Sequence, residues 1–259
     1  MDNYEFCTKW VTDRKLNDNV RVLDYGCGDG RIVKMLREHN VNAFGCDTFY
    51  EGGDYSKLIE SELFDNGIIK KINEDTIPFK PNSFDFVINH QVMEHVEDLD
   101  SVLSEIQRVL KPDGSVLSLF PDKGVWREAH CGIPFLHWFP KNSRLRIYYT
   151  AGLRFIGFGH HKGDKSIMGW SRDFCEWLDK WTCYRTRKEV DTSYNKYFRE
   201  TQHIEDDFLQ KRLGSKKSLV SWLPSSIQQL IVKKLAGIVF VSKKIVIKQT
   251  NEQLHPSIK

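Results

Sequence analysis

The 259-residue chain has the composition of a packed protein, with 40% hydrophobic, 12% aromatic and 28% charged residues. These fractions exclude a disordered chain, and no charge-free run reaches the roughly 20 apolar residues that a membrane span needs. The N-terminus, MDNYEFCTKW, lacks the apolar run of a secretory signal, so we expect a cytoplasmic protein. The length fits one elaborated domain.

Charge is unevenly distributed along the chain. The net charge is +3, yet residues 211–259 carry ten lysines and arginines against the single Glu252. This basic tail is either a solvated face or a contact for an anionic partner such as a membrane surface. The six cysteines form no C-x-x-C pair, so neither a disulfide framework nor a zinc site is predicted.

Strand-like and helical segments alternate from residue 20 onward, which predicts parallel strands covered by helices. In chain order we expect strands over residues 20–26, 41–47, 84–90 and 115–121, and helices over residues 31–39, 55–64 and 99–110. The K-P-D-G sequence after residue 110 ends the last of these helices.

Hydrophobic periodicity disappears between residue 122 and about residue 165, in a stretch rich in Trp, His, Phe and Tyr. Long irregular segments in compact domains are usually functional, so we expect a substrate-side insertion. Further on we expect helices over residues 171–182, 188–198 and 224–236, and strands over 200–206 and 237–244. In the helix before Gly237, the residues expected on one apolar face are Ile227, Leu230, Ile231 and Leu235.

The sequence DYGCGDG, residues 24–30, lies where the first strand becomes a helix. Glycines there let the backbone turn sharply and approach a ligand closely, because no Cβ fills the space. A nucleotide-like ligand is therefore predicted. The spacing is G-x-G-x-G followed by Arg31, not the dinucleotide fingerprint G-x-G-x-x-G, and this disfavours NAD and FAD.

Four further motifs follow in order: an acidic residue at the end of the second strand, P-F-x-x-x-S-F-D, E-H-V and K-P-D-G. With the glycine turn they make residues 20–121 resemble the class I S-adenosylmethionine-dependent methyltransferases, in particular the small-molecule group of the methyltransferase type 11 domain. The resemblance implies a Rossmann-like, doubly wound α/β fold: a mostly parallel seven-stranded sheet with helices on both faces, an insertion after the fifth strand, and a last strand antiparallel to the fifth.

The same resemblance implies one methyltransferase domain with a cofactor-binding core over residues 20–121. The substrate-side insertion covers about 122–185, and C-terminal helices and closing strands cover about 186–246.

The implied cofactor is S-adenosylmethionine, with S-adenosylhomocysteine as product. Its amino acid portion is expected against Asp24, Gly26 and Gly28, with Gly30 giving the helix room. Asp47 offers two carboxylate oxygens to the ribose hydroxyls.

The adenine is expected near Thr48, Asn73 and Glu74, and recognition of its N6 amine stays open between the last two. Asn89 and His90 are expected under the methionine sulfur.

Methyl transfer from a sulfonium is an in-line displacement, so alignment matters most and a general base is optional. His90 and His130 are the candidate catalytic bases, with His137 a weaker one. We interpret His95 as a packing and capping residue of a helix beginning at E-H-V. Glu94 either orients His90 or begins that helix.

The expected acceptor wall lies in the insertion and consists of Trp126, Arg127, His130, His137 and His161. The cations Arg127, Arg144, Arg146 and Lys162 suit an acidic or phosphate-bearing acceptor, or form a solvated basic surface. Adjacent His160 and His161 have no third ligand at a suitable spacing, so no metal site is predicted.

The predicted function is methyl transfer from S-adenosylmethionine to oxygen or nitrogen of a small molecule, such as a phosphorylated or sugar-containing metabolite of surface-polysaccharide or secondary metabolism. The alternatives are an RNA or protein methyltransferase and a non-catalytic cofactor-binding protein. Nucleic acid is disfavoured because the chain has no N-P-P-Y or D-P-P-Y motif and no basic-aromatic platform. Peripheral membrane contact of the basic tail remains open.

Overall fold

The computed structural model describes residues 1–15, 17, 19–73 and 75–244. In this part of the chain seven strands form one sheet: β1 (Arg21–Tyr25), β2 (Asn42–Asp47), β3 (Ile69–Lys71), β4 (Phe84–His90), β5 (Leu110–Phe120), β6 (Phe198–His203) and β7 (Ile238–Lys244). The helices are α1 (Asn3–Thr12), α2 (Arg31–Glu38), α3 (Ser61–Asp65), α4 (Leu99–Val109), α5 (Arg144–Phe155), α6 (Ile167–Trp181), α7 (Arg187–Tyr197), α8 (Glu205–Leu213) and α9 (Ser225–Leu235).

The strand order is β3-β2-β1-β4-β5-β7-β6. The first five strands run parallel, and β7 is antiparallel to both β5 and β6. The predicted fold class, including the antiparallel last strand beside the fifth, is thus confirmed. Because β1 to β5 are parallel, their carboxyl ends lie along one edge, where ligands bind in open α/β sheets.

Both faces of the sheet are covered by apolar cores. On one face α1 and α2 pack Phe6, Trp10 and Leu36 against the strands, and Phe208 of α8 joins them. On the other face the helices are α4 and α7, which contribute among others Leu103, Ile106, Val190 and Tyr194. Coverage on both faces explains why the central strands are continuous apolar runs.

A third, smaller core lies within the segment that follows β5. It joins Cys131, Ile133 and Leu136 to Trp170 and Leu178 of α6. The segment therefore packs as an ordered layer. The prediction of a long irregular stretch over residues 122–165 was wrong in part, because α5 begins at Arg144, capped by the Ser143 side chain.

Several predicted boundaries differ from the structure. Residues 55–64 form a 3-10 turn, Ser56–Leu58, and then the short α3, where one helix was expected. The E-H-V sequence does not begin a helix, since α4 begins at Leu99 after Asp98 caps it. The strand expected over residues 200–206 is β6, Phe198–His203.

The helix before β7 buries a different face from the predicted one. In α9 the buried residues are Gln228 and Val232, whereas Ile227 and Leu230 are exposed. Residues 245–259, which hold the rest of the basic tail, lie outside the described residues. Contact of that tail with a membrane stays a prediction. Among the described residues, no helix combines the length and apolarity that crossing a bilayer requires.

Gly237 joins α9 to β7 at a point where the backbones nearly touch. Its φ is +95°, and a Cβ there would lie 2.3 Å from the carbonyl oxygen of Phe120 and 2.6 Å from Cα of Pro121. Both obstacles belong to the main chain of β5 and its extension, so neither can rotate away. This glycine allows β7 to enter the sheet.

We expect Gly237→Ala to lower the free energy of unfolding by about 2–4 kcal/mol, through strained φ and a backbone clash. Gly67→Ala is the control, because Gly67 also has a positive φ but its Cβ would meet only Lys70 Cε at 3.5 Å. The control should lose about 1 kcal/mol. Urea denaturation measures both, and equal losses would contradict this account of β7.

Candidate active site

The turn after β1 is bent by backbone hydrogen bonds to β2. The N–H groups of Gly26 and Cys27 both donate to the carbonyl of Cys46, at 2.8 and 3.2 Å. The chain then passes through positive φ values at Gly26, Gly28 and Gly30, of 73°, 53° and 77°. These are left-handed conformations that glycine adopts without steric cost, which explains the spacing of the motif.

The three glycines differ in what surrounds them. A Cβ at Gly26 would lie 2.3 Å from Cγ2 of Val92, and one at Gly30 would lie 2.7 Å from Cδ1 of Ile69. At Gly28 the nearest atom is Cδ2 of Tyr55, at 3.8 Å. Gly26 and Gly30 therefore serve close packing inside the protein, whereas Gly28 keeps space open beside the cavity that it lines.

A cavity of about 940 Å³ lies at the carboxyl edge of the sheet, running from the glycine turn to His95 and His130. This volume is at the upper end for small-molecule sites. Among the described residues its wall holds no lysine or arginine. Its carboxylate-bearing wall residues are Asp24, Asp29, Asp47, Asp75, Glu97 and Asp98.

Asp24 is the most buried of these carboxylates, at 2% exposure. Burial, and after it the negative charges of Asp47 and Asp29, raise the pKa of Asp24 well above its usual range. Like charges without a cation on the same wall oppose one another. A ligand that carries positive charge would relieve this repulsion.

Asp47 holds the two loops that flank the cavity. Its Oδ2 accepts from the N–H of Gly28 at 2.9 Å, and its Oδ1 accepts from the N–H of Phe49 at 2.8 Å. Burial raises the pKa of the Asp47 carboxyl. Each carboxylate oxygen has a second lone pair, so these bonds leave room for two hydroxyl donors.

His90 ends β4 and lines the cavity beside the first helix. Its Nε2 lies 3.2 Å from Nδ2 of Asn3, and its ring meets the edge of Tyr4 at 4.9 Å. Burial lowers the pKa of His90 to about 4. A histidine with so low a pKa is a weak general base near neutral pH, although it can position a ligand.

At the far end of the cavity, a buried carboxylate orients a histidine. Oε1 of Glu128 accepts from Nδ1 of His130 at 2.6 Å and from the Tyr184 hydroxyl at 2.7 Å, and Oε2 accepts from the N–H of Cys131 at 2.8 Å. Nε2 of His130 lies 3.2 Å from Nε2 of His95. The pair of Glu128 and His130 resembles a general-base histidine that is held in place by a carboxylate.

The pKa values of this pair move in opposite directions. Burial raises the pKa of Glu128, but the hydrogen bond and charge of His130, helped by Tyr184, outweigh burial and lower that pKa to about 2. Burial lowers the pKa of His130, but the hydrogen bond and charge of Glu128 raise it above its usual value. Each partner thus stabilises the charged form of the other.

Residues 181–185, from the last residue of α6 into the segment before α7, anchor the turn that carries His95. The carbonyl of Trp181 lies 2.7 Å from Nδ1 of His95, and the Arg185 guanidinium donates to the carbonyl of Glu97 at 2.6 Å. The hydrogen bond to Trp181 fixes the His95 ring. Burial lowers the pKa of His95 to about 4.

Glu94, next to His95, is 1% exposed, and its backbone carbonyl accepts from the N–H of Cys183 at 2.6 Å. Burial raises the pKa of its carboxyl to about 7. Neither carboxylate oxygen has a hydrogen-bond partner in the described structure.

The predicted cofactor residues fall into two groups. Those that line the cavity are Asp24, Gly26, Gly28, Asp47, Thr48 and His90. Asn89 is fully buried, and its amide donates to Oγ of Ser118 at 2.9 Å, away from the cavity wall. Asn73 is exposed and pairs with Thr76, and Glu74 lies outside the described residues. Asp75, which the sequence did not suggest, does line the cavity.

Of the predicted acceptor residues, the structure brings His130 to the cavity. Trp126 and Arg127 are exposed, and Arg127 lies 2.8 Å from His160 on the surface. His137 is buried against Tyr184 beside a separate cavity of about 170 Å³. His161 is exposed. The geometry therefore supports none of these four as a wall of the large cavity.

The predicted cations do not line the large cavity either. Arg146 is buried and donates to the carbonyl of Cys175 while pairing with Asp179, each at 2.6 Å. Arg144 is exposed, and Lys162 donates to the carbonyl of Gly157 at 2.7 Å. Arg146 and Lys162 thus have protein partners, and Arg144 faces solvent, so none of the three needs a phosphate ligand.

Sequence reasoning missed Glu128, Tyr184, Trp177 and Trp181 as parts of the site. Glu128 precedes His130 by two residues, and in a loop this spacing does not indicate that the two side chains form a hydrogen bond. Trp177 and Trp181 of α6 line the cavity, and Tyr184, in the segment after α6, donates to Glu128. Only the packing of that layer brings these residues together.

A family model described as a methyltransferase domain matches residues 23–118. The ubiquinone biosynthesis O-methyltransferase of Bartonella tribocorum is 26% identical over 129 residues, which cover 49% of this chain and 52% of that protein. The match thus spans about half the length of this curated relative.

Among solved structures, an S-adenosylmethionine-dependent methyltransferase from Mesorhizobium loti matches with a TM-score of 0.52 at 14% identity, covering 94% of this chain and 100% of that one. The phosphoethanolamine N-methyltransferase 2 of Haemonchus contortus, solved with S-adenosyl-L-methionine, matches with a TM-score of 0.51 at 15% identity, covering 93% of this chain and 53% of that one. At such identities the likeness concerns the fold alone.

The strand order, the glycine turn and the family match agree with one another. Residues 23–118 match the methyltransferase-domain model, and the chain has the fold of the class I S-adenosylmethionine-dependent methyltransferases, as its sequence motifs predict.

Proposed function

We propose that this chain transfers the methyl group of S-adenosylmethionine to an oxygen or nitrogen of a small acceptor. The observation that carries the proposal is that one continuous cavity extends from the glycine turn to His130. Its volume of about 940 Å³ has room for a nucleoside-sized cofactor and a second small molecule. Methyl transfer requires both to share one enclosed space, because the displacement proceeds in line.

The cofactor's charge suits the carboxylates near the glycine turn. S-adenosylmethionine carries an ammonium group and a sulfonium, and Asp24 and Asp29 lie on the adjoining wall without a cationic partner there. We assign Asp24 and the backbone at Gly26 and Gly28 to its amino acid portion. Asp47, with its free lone pairs, is assigned to the ribose hydroxyls.

The acceptor end differs in chemistry from the cofactor end. It is formed by His95, Ala129, His130, Trp177 and Trp181. Since the wall holds carboxylates and no lysine or arginine among the described residues, we favour a neutral or cationic acceptor over the phosphorylated one that the sequence suggested. A sugar-containing or other hydroxyl-bearing molecule remains compatible.

His130 is the residue that we assign to the acceptor's proton. Glu128 fixes its Nδ1, so Nε2 points toward the cavity end where His95 lies. A histidine held in this way can accept a proton from a hydroxyl within hydrogen-bond reach while the oxygen attacks the methyl group. The bond between methyl carbon and sulfur then breaks, and its electron pair stays on sulfur, which gives S-adenosylhomocysteine.

The proposal has two alternatives, an RNA or protein methyltransferase and a non-catalytic cofactor-binding protein, and an activity assay distinguishes all three. Incubation with S-adenosylmethionine and separate panels of hydroxyl and amine metabolites, of RNA and of peptides measures formation of S-adenosylhomocysteine. Turnover with the metabolite panel supports the proposal. Turnover only with RNA or peptides would reassign the substrate class, and tight cofactor binding without turnover on every panel would favour a non-catalytic protein.

Gly28→Val should weaken S-adenosylmethionine binding at least about 100-fold, or about 2.7 kcal/mol, because the new side chain fills the space that Gly28 leaves open beside the cavity. Gly163→Val is the matched control, since Gly163 has a similar φ of +49° and nothing within 4 Å of its Cβ position. Calorimetry measures binding, and circular dichroism verifies the fold. Equal affinity in both variants would remove the cofactor from this turn.

Asp47→Asn should weaken cofactor binding by about 1.5–3 kcal/mol, the range for hydrogen bonds to charged groups. The change keeps the size of the side chain and one of its two accepted hydrogen bonds, from Gly28 or from Phe49, because the amide has a single acceptor oxygen. Asp54→Asn removes the same charge from the neighbouring loop but not from the cavity wall. A loss below about 0.5 kcal/mol at Asp47, or an equal loss at Asp54, would place the ribose elsewhere.

His130→Ala should lower turnover with the true acceptor at least 10-fold, about 1.4 kcal/mol in the barrier, while cofactor affinity changes less than about twofold. Arg127→Ala provides the comparison, because Arg127 lies in the same segment but on the surface. Its turnover should remain that of the parent. Normal turnover in the His130 variant would mean that the reaction needs no proton acceptor at this position.

A further inference from the structure

Three metal-ligating side chains meet at the acceptor end of the cavity. A carboxylate oxygen of Glu94 and ring nitrogens of His95 and His130 all lie within 4.8 Å of one another. The two histidines line the cavity, and Glu94 is buried beside them. A group of this size could hold one ion after small side-chain rotations that bring each pair of ligand atoms to about 3.3 Å.

The Nδ1 atom of each histidine already has a hydrogen-bond partner. Nδ1 of His95 faces the carbonyl of Trp181 at 2.7 Å, and a carbonyl can only accept, so this nitrogen carries a proton. Nδ1 of His130 faces Glu128 at 2.6 Å, and Glu128 also accepts from Tyr184 and from the Cys131 N–H. Glu128 therefore acts as an acceptor, and Nδ1 of His130 carries a proton as well.

The Nε2 atoms of His95 and His130 consequently face each other with lone pairs. The two Nε2 atoms are 3.2 Å apart, and neutral imidazoles with protonated Nδ1 atoms have no proton there to share. A positive species must hold them together, either one proton or one metal ion. Two nitrogens about 2.0–2.1 Å from a tetrahedral ion would be about 3.3 Å apart, which matches the observed separation.

Glu94 distinguishes between these two species. Its side chain is 1% exposed, and both of its carboxylate oxygens lack a hydrogen-bond partner. A proton between the two imidazoles leaves both buried oxygens of Glu94 without a hydrogen bond, whether the carboxyl is ionised or protonated, and this carries a desolvation cost. A cation shared by all three side chains provides the missing partner.

We propose that Glu94, His95 and His130 bind a divalent transition-metal ion of the zinc class. Two imidazoles and one carboxylate are a donor set of catalytic zinc sites, which leave the fourth position open to water or substrate. Imidazole ligands favour zinc, iron, cobalt or copper over magnesium and calcium. Hydrogen bonds from ligand histidines to a carbonyl and a carboxylate, as seen at Trp181 and Glu128, orient such ligands in metal sites.

The fourth coordination position of the proposed ion, which the protein leaves open, indicates a class of acceptor. This inference rests on the proposed function. Because His95 and His130 border the acceptor end of the cavity, an ion held there would present its free position to the acceptor. Hydroxyl oxygens bind such ions and ionise more readily when bound. The acceptor class that fits is therefore a neutral alcohol, phenol or vicinal diol. In the loaded protein His130 would serve as a ligand rather than as a free base.

The test is titration of the metal-free, tag-free full chain with Co²⁺, followed by visible absorption and calorimetry. We expect one Co²⁺ per chain, with ligand-field bands of four- or five-coordinate cobalt, and displacement by Zn²⁺. Glu94→Gln and His130→Ala should each weaken Co²⁺ binding at least about 100-fold. Glu128→Gln, which changes only the orienting carboxylate, should weaken it about 10–100-fold.

His160→Ala is the control, because His160 is an exposed histidine beside His161 and represents surface binding. Its Co²⁺ affinity should equal that of the parent chain. Circular dichroism establishes that each variant is folded. If the parent chain does not bind one Co²⁺ per chain, that result alone refutes the metal site.

Co²⁺ binding that survives in folded Glu94→Gln and His130→Ala chains would also overturn the site. Calorimetry with S-adenosylmethionine on the same sample separates the two proposals. Cofactor binding without Co²⁺ binding refutes the metal site alone, and Co²⁺ binding without cofactor binding refutes the proposed transfer.

Discussion

The site depends on the parallel register of β1 between β2 and β4. Asp24 is opposite Gly45 on one side and Ile88 on the other, so the three strands reach the same edge together. The last link of this pairing is the carbonyl of Cys46, which accepts two N–H groups from the turn after β1. That shared acceptor bends the chain where the glycines begin, and the cavity opens above it.

The sequence is informative about this edge because the constraint is local. A strand, a glycine turn and a helix within about 20 residues leave little freedom, and an aspartate at the end of the next strand falls beside the turn through the parallel register. The side chains of Asp24 and Asp47 could therefore be placed in advance. Asn89 could not, because its amide turns to Ser118 in the core, and the pattern of a strand end does not reveal that choice.

The acceptor end resisted prediction because its residues come from three distant segments. His95 and His130 are separated by 35 positions, and Trp181 lies 86 positions beyond His95. α5 was missed because its apolar residues do not mark a buried face: Leu145 and Tyr148 are exposed, whereas Arg146 is buried against Asp179. Helical periodicity is visible in a sequence when apolar residues face the core, and this helix departs from that rule.

The short segment of residues 181–185 has a consequence for how the protein opens. It contacts the His95 turn through Trp181 and Arg185 and the Glu128 pair through Tyr184, so it belongs to both sides of the acceptor end. Withdrawal of α6 would break these hydrogen bonds together. We therefore expect the two sides to unfold locally as one cooperative unit, so that a ligand that stabilises either side should protect the backbone amides of both from hydrogen exchange.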